Sequence, residues 1–318
     1  MRVRVAKKRK SARKPGRTSK IKRIPAPRTI EAVHLADWLE LTALSSDDGN
    51  SSRSDLYSLL TRAGTVPNDA HGSGVDAACM SAFAELESRQ QAAGPAYPFE
   101  VRHPLLVCRP GARTDFSPYV FCLCLSAWSW IQSKGQPERA RQLFEDLSCS
   151  AARRFLGPDG SVIRFASPRE APFRQFKPAV EHVCQQLREG IGFRSRTEPG
   201  KKQDDGVDVI GWRDFPDRLA GKLVLFGQCA SGGNWVGKRT ELNPQAFMDA
   251  WLEHRLVSTP IKALFVPHRI SLGKWEETSR KAGVTFDRCR LSYWAHQEKP
   301  LPKGSEFVAW CQTVLPAV

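Results

Sequence analysis

The chain has no Cys-x-x-Cys pair, no His-x-x-x-His pair, no apolar run approaching the length of a membrane span, and no acidic residue within residues 1–28. Its nine cysteines are scattered and odd in number. That pattern argues against a structural zinc site and for reduced thiols in a cytosolic compartment. The missing apolar run argues against a bilayer span, and the polar start lacks the apolar centre of a secretory signal. A protein without membrane contact, residing in the cytoplasm, is the expectation.

What is present is positive charge, unevenly placed. The net charge is +15, but residues 1–28 alone hold thirteen Lys and Arg, which leaves 35 basic against 33 acidic side chains elsewhere. The basic character therefore belongs to an arm rather than to the folded part. Residues 1–28 show no hydrophobic periodicity and too much like charge to pack, so they are expected to be disordered. Such an arm can lie along phosphates or dock on any other polyanion. The remaining chain, with 41% hydrophobic residues, nine Trp and sixteen Phe, can bury substantial cores.

Apolar spacing predicts helices over about 30–44, with Thr29 as N-cap, then 54–63, 77–92, 118–130 and 138–155, with one strand over 99–107. Residues 29–160 thus read as a mainly helical domain. It offers no catalytic constellation: His34 and His103 are isolated, and Cys122 and Cys124 do not share a face on either a helix or a strand. Gly157-Pro-Asp-Gly160 reads as a turn at a boundary, followed by a short strand over 162–165. Beyond it the pattern predicts a helix over 173–187, a strand near 191–196, strands over 207–212 and 223–226 joined as a hairpin, and a helix from Asn243-Pro244 to about 256. A strand over 261–266, a helix over 272–282, a strand over 284–291 and a closing helix over 307–314 complete it. That order suits a mixed central sheet flanked by helices.

The stretch around which this part is organised is 201–231. One strand carries Asp208 and its neighbour ends on Gln228, so two oxygen-bearing side chains can meet at one end of the sheet. Hard cations take such oxygen ligands and polarise phosphodiesters. Asp205-Gly-Val-Asp208 and Gln228-Cys-Ala230 resemble the motifs of the PD-(D/E)xK nuclease superfamily, in its Mrr-like restriction endonuclease branch, where the third motif reads Q-x-K. The resemblance spans roughly 173–295. It implies a restriction-endonuclease-like nuclease domain over 161–318, with Asp208 and Gln228 as metal ligands and Glu181 as the helix acid. It further implies Mg²⁺, with Mn²⁺ able to substitute, DNA as substrate, and a partner protein of a defence system.

One position departs from that pattern. Ala230 stands where the lysine belongs, and Lys238 in Asn234-Trp-Val-Gly-Lys238 is the candidate to replace it from the following helix; the alternative is an ordinary surface lysine and a fold that binds nucleic acid without cutting. Arg194, Arg196, Lys201 and Lys202 add positive charge beside the carboxylates. Asp204 and Asp205 are extra ligands or turn formers, and Asp205 before Gly206 favours the turn. The Ser231-Gly-Gly-Asn234 turn can leave backbone N–H groups for an anion, with Asn234 capping the next helix. His268, just past a strand end, is read either as a phosphate or base contact or as a surface histidine.

Overall fold

The computed structural model describes residues 24–27, 29–64, 73–132, 135–195 and 204–315. The polybasic arm, apart from 24–27, lies outside them, as do Arg196, Lys201 and Lys202.

In the first half, α1 (Ala32–Ser45), β1 (Asn50–Ser52), α2 (Arg53–Ala63), α3 (Ser73–Ala93), β2 (Phe99–Arg102), β3 (Leu105–Cys108), α4 (Ser117–Gln132) and α5 (Glu138–Leu156) follow one another. Ser52 starts α2 with a capping box: its hydroxyl accepts from Asp55 N at 3.1 Å while Asp55 accepts from Ser52 N at 2.8 Å. Thr29 does not cap α1. The N-cap is Glu31, and Thr29 instead meets the His34 ring. The expected strand over 99–107 is a hairpin, and β1 joins it in a three-stranded antiparallel sheet ordered β1-β3-β2. Cys122 and Cys124 are fully buried packing residues of α4, with no disulfide.

The second half contains β4 (Gly160–Arg164), α6 (Phe176–Leu187), β5 (Val209–Arg213), β6 (Leu223–Cys229), α7 (Trp235–Lys238), α8 (Pro244–Trp251), β7 (Ile261–Phe265), α9 (Leu272–Ala282), β8 (Val284–Phe286), α10 (Arg288–Ala295) and α11 (Gly304–Val314). The five strands form one mixed sheet in the order β4-β5-β6-β7-β8. The β4/β5 and β5/β6 pairs are antiparallel, and β6/β7 and β7/β8 are parallel. The molecule is thus a mixed α/β protein. Two expected strands change. Of the strand expected near 191–196, the described residues 191–195 contribute only an isolated bridge, Phe193 to Leu252. The strand over 284–291 stops at Phe286, because Asp287 accepts from Arg290 N at 3.1 Å and so caps a helix instead.

Strand alternation divides the core. Ile210, Trp212, Val224 and Phe226 face a cluster completed by α6 and α8, including Phe176, Val180, Phe247 and Trp251. Val209, Leu225, Ala263 and Phe265 face the other way, into a cluster shared with α1, α3, α4, α5, α10 and α11. The helical half and the sheet therefore share one core. Each fully buried Phe or Leu in it contributes about 1.5–3 kcal/mol.

A fully buried ionic network crosses the same junction. Arg89 of α3 donates to Asp37 at 2.7 Å and Glu40 at 2.8 Å, and Arg288 of α10 donates to Asp37 at 2.7 Å. Tyr97 and Tyr119 both donate to Glu40 at 2.8 Å. Desolvation of such charges is costly, so the network depends on every partner being present. No helix among the described residues is long and apolar enough to cross a membrane.

Candidate active site

Asp208 immediately precedes β5, and its backbone is fixed from both sides. Its N–H donates to Gly227 O at 2.8 Å, and its carbonyl accepts from Phe165 N at 2.7 Å and Ala166 N at 3.0 Å. The carboxylate reaches across to the end of β6 and accepts the Cys229 N–H at 2.7 Å. Gln228 lies on β6 opposite Leu264 of β7. Asp208 immediately precedes β5 and its N–H bonds Gly227, so its backbone stands beside Gln228 at the ends of adjacent strands.

The Gln228 side chain is buried, and its amide N donates to Glu241 at 3.0 Å. Its Oε1 is buried and meets no hydrogen-bond donor among the described residues. A buried amide oxygen without a donor is a cost that a ligand would remove. Lys238, on the single turn of α7, donates to the same Glu241 oxygen at 2.6 Å. Glu241 thus ties Lys238 to Gln228. Ala230, at the position expected for lysine, is buried and its N–H donates to Phe265 O at 2.9 Å.

Glu181 is not among the charges that act most on Asp208. It is half-buried on α6, where its charge acts on the neighbouring Cys184 thiol. The carboxylates that act on Asp208 are Asp204 and Glu145 of α5, the latter a residue that sequence reasoning placed within an amphipathic helix and did not single out. Its signal was present: Glu145-Asp146 interrupts an apolar stripe on the last helix before the sheet, between Phe144 and Leu147. Arg164 of β4 donates to Glu145 at 2.7 Å and approaches Asp146 at 3.5 Å.

Electrostatics mark the same place. Burial pushes the Asp208 carboxyl up to about 7; the Cys229 N–H and Lys238 oppose the shift, and Asp204 and Glu145 add to it. Burial likewise pushes Glu145 up to about 7 against its hydrogen bond from Arg164, with Asp146 and Asp204 reinforcing it. Two carboxyls shifted toward neutrality beside one strand end make this place the candidate for a functional site.

The neighbouring turn has the expected chemistry. Asp204 accepts from Gly206 N at 3.2 Å. Asp205 has φ 49°, Gly206 has φ 82°, and the Asp205 carboxylate accepts the Trp251 indole N–H at 2.8 Å. Asn234 stands at the N-cap of α7, but its side chain makes no capping bond. His268 is half-buried and meets Gly232 O at 3.2 Å.

The oxygen donors Asp208, Glu145 and Gln228 suit a hard divalent cation in chemical type. Among the described residues, no group of three or more His, Cys, Asp or Glu side chains is arranged to hold a metal ion. A cation here would rest on one or two carboxylates, with waters and substrate phosphate completing its shell, which is the common arrangement for Mg²⁺. No family model, curated protein or solved structure matches the chain.

Proposed function

We propose that the chain is a metal-dependent endonuclease that hydrolyses DNA phosphodiester bonds, built on a restriction-endonuclease-like sheet. The observation that carries this reading is the Asp208–Glu145 pair: two carboxyls raised toward neutral pH beside the buried, donorless oxygen of Gln228. Asp208, Glu145 and Gln228 would hold Mg²⁺ or Mn²⁺, which supplies charge to polarise a phosphodiester and acidify a water. Asp208 is held in place by the Cys229 N–H, and Glu145 by Arg164. Lys238 would leave Glu241 for the negative charge that builds on the phosphate. The polybasic arm would add salt-sensitive, sequence-independent affinity for the duplex. A role in defence against foreign DNA, with a partner protein, extends this proposal.

A second reading is a nucleic-acid-binding subunit that does not cut. It is favoured by the buried Ala230 and by the ion pair that occupies Lys238. Incubating the protein with supercoiled plasmid in Mg²⁺ or Mn²⁺ separates the two. Nicking that disappears with Asp208→Ala and with EDTA supports the nuclease; a plasmid bound but left intact by both proteins supports the binding subunit.

A further inference from the structure

A cavity of about 290 Å³ lies where the two parallel strands β6 and β7 end, and none of the groups assigned above to cleavage lines it. The segments that follow these strands supply Gly233, Trp235, His268 and Arg269; α1 supplies Val33, His34 and Asp37; α4 supplies Ser126 to Trp130 without Trp128. Carboxyl ends of parallel strands are where open α/β sheets take ligands. The volume suits one small molecule of a few rings.

The walls select flat aromatic ligands. Trp235 stacks on the His268 imidazole at 6.2 Å and 22°. Trp130 is anchored by its edge, its indole N–H donating to Ala26 O at 2.8 Å, and its ring forms part of the cavity wall.

Asp37 supplies the polar contact, and its surroundings decide between a cation and a neutral ligand. Burial opposes ionisation of Asp37, but Arg288 and Arg89 outweigh it and hold the carboxyl well below the usual carboxylate range. One oxygen receives both guanidiniums at 2.7 Å and the other only Arg288 at 3.2 Å. The carboxylate is therefore immobile, ionised and already balanced by positive charge. A cationic guest would find no excess negative charge, whereas a neutral N–H donor would find a strong acceptor. His268, pushed down to about 4 by burial and by Arg288, is uncharged at neutral pH and also favours a neutral guest.

We propose that this cavity binds a single nucleobase bearing an exocyclic amino group, stacked on Trp130 or Trp235 with its amino group donating to Asp37. The base can come from a free nucleotide or from a nucleotide extruded from a nucleic acid strand. The site does not depend on the cleavage reading.

The test is calorimetric titration of the full chain with AMP, with purine riboside monophosphate, which lacks the amino group, and with ribose 5-phosphate. A parallel fluorescence titration uses an oligonucleotide carrying 2-aminopurine. Saturable one-to-one binding of AMP, at least tenfold weaker for the analogue and absent for ribose 5-phosphate, supports a free-nucleotide site. A 2-aminopurine response without AMP binding supports an extruded base. In either case Trp235→Ala and the cavity-filling Ser129→Trp weaken binding at least tenfold. The proposal is overturned if neither probe binds, or if binding is indifferent to both substitutions in variants that melt like the parent. Equal affinity for AMP and its deaminated analogue overturns the role of Asp37.

Discussion

The carboxylate of Asp208, at the start of one strand, accepts the backbone N–H of Cys229, at the end of the next, at 2.7 Å. This bond fixes a carboxyl whose burial pushes it up to about 7, so the group is rigid and its charge is adjustable at neutral pH.

Stability should therefore fall as pH rises. The folded-state values of Asp208 and Glu145 lie above their ordinary 3.8 and 4.5, so the native state holds extra protons between about 4 and about 7. That stabilisation is fully present on the acid side and is lost as pH rises through about 7. Asp208→Asn should raise the melting temperature at pH 8 and leave it nearly unchanged at pH 4. Mg²⁺ should stabilise the parent at pH 8 and not the variant. Scanning calorimetry with and without Mg²⁺ checks both.

Glu145 and Glu181 should separate cleanly. Glu145→Gln is expected to reduce plasmid cleavage by at least 100-fold, because it removes one of the carboxylates proposed to hold the cation beside Asp208. Glu181→Gln should stay within about threefold of the parent, since Glu181 neighbours Cys184 instead. Equal losses from the two would return the helix acid to α6.

Lys238→Met should abolish cutting while duplex affinity changes by less than about tenfold, the loss of one phosphate contact at most. Glu241→Ala should differ, because Glu241 accepts from both Lys238 and Gln228. Freed of that partner, Lys238 is available for phosphate and cutting should be retained or enhanced. Single-turnover cleavage beside a binding titration distinguishes the two variants.

Arg288→Met should destabilise the protein by about 3–5 kcal/mol, since it strands Asp37 in a buried site where one of its two guanidinium partners is lost. Urea unfolding followed by Trp fluorescence should show one cooperative transition, as a core shared by both halves requires. Two separate transitions would mean that the helical half folds on its own.

Local signals carried much of the fold. The Ser52 capping box, the Asn243-Pro244 start of α8 and the Gly283 end of α9 are written in adjacent residues, and their helices begin or end there. The strands around Asp208 and Gln228 were legible because β-branched and apolar runs flank a turn-rich connection. Short elements failed where a single side chain outweighed the run. Asp287 turned the end of an expected strand into α10, and the described residues 191–195 formed no strand beyond one bridge.

The sequence by itself determined which residues have the chemistry for the proposed site: Asp208, Gln228 and Lys238 as the candidate for the lysine absent at position 230. It could not determine which helix carboxylate joins them, because Glu145 and Glu181 both lie on amphipathic helices and local pattern treats them alike. Only the packing of α5 beside β4 and β5 decided that, by bringing Glu145 under the influence of Asp208 across more than sixty residues of chain. The cavity at the ends of β6 and β7 was likewise invisible, since Asp37, Trp130 and Trp235 come from three distant segments. Side-chain type is a local property, whereas burial and the field of distant charges arise only when the chain has closed on itself.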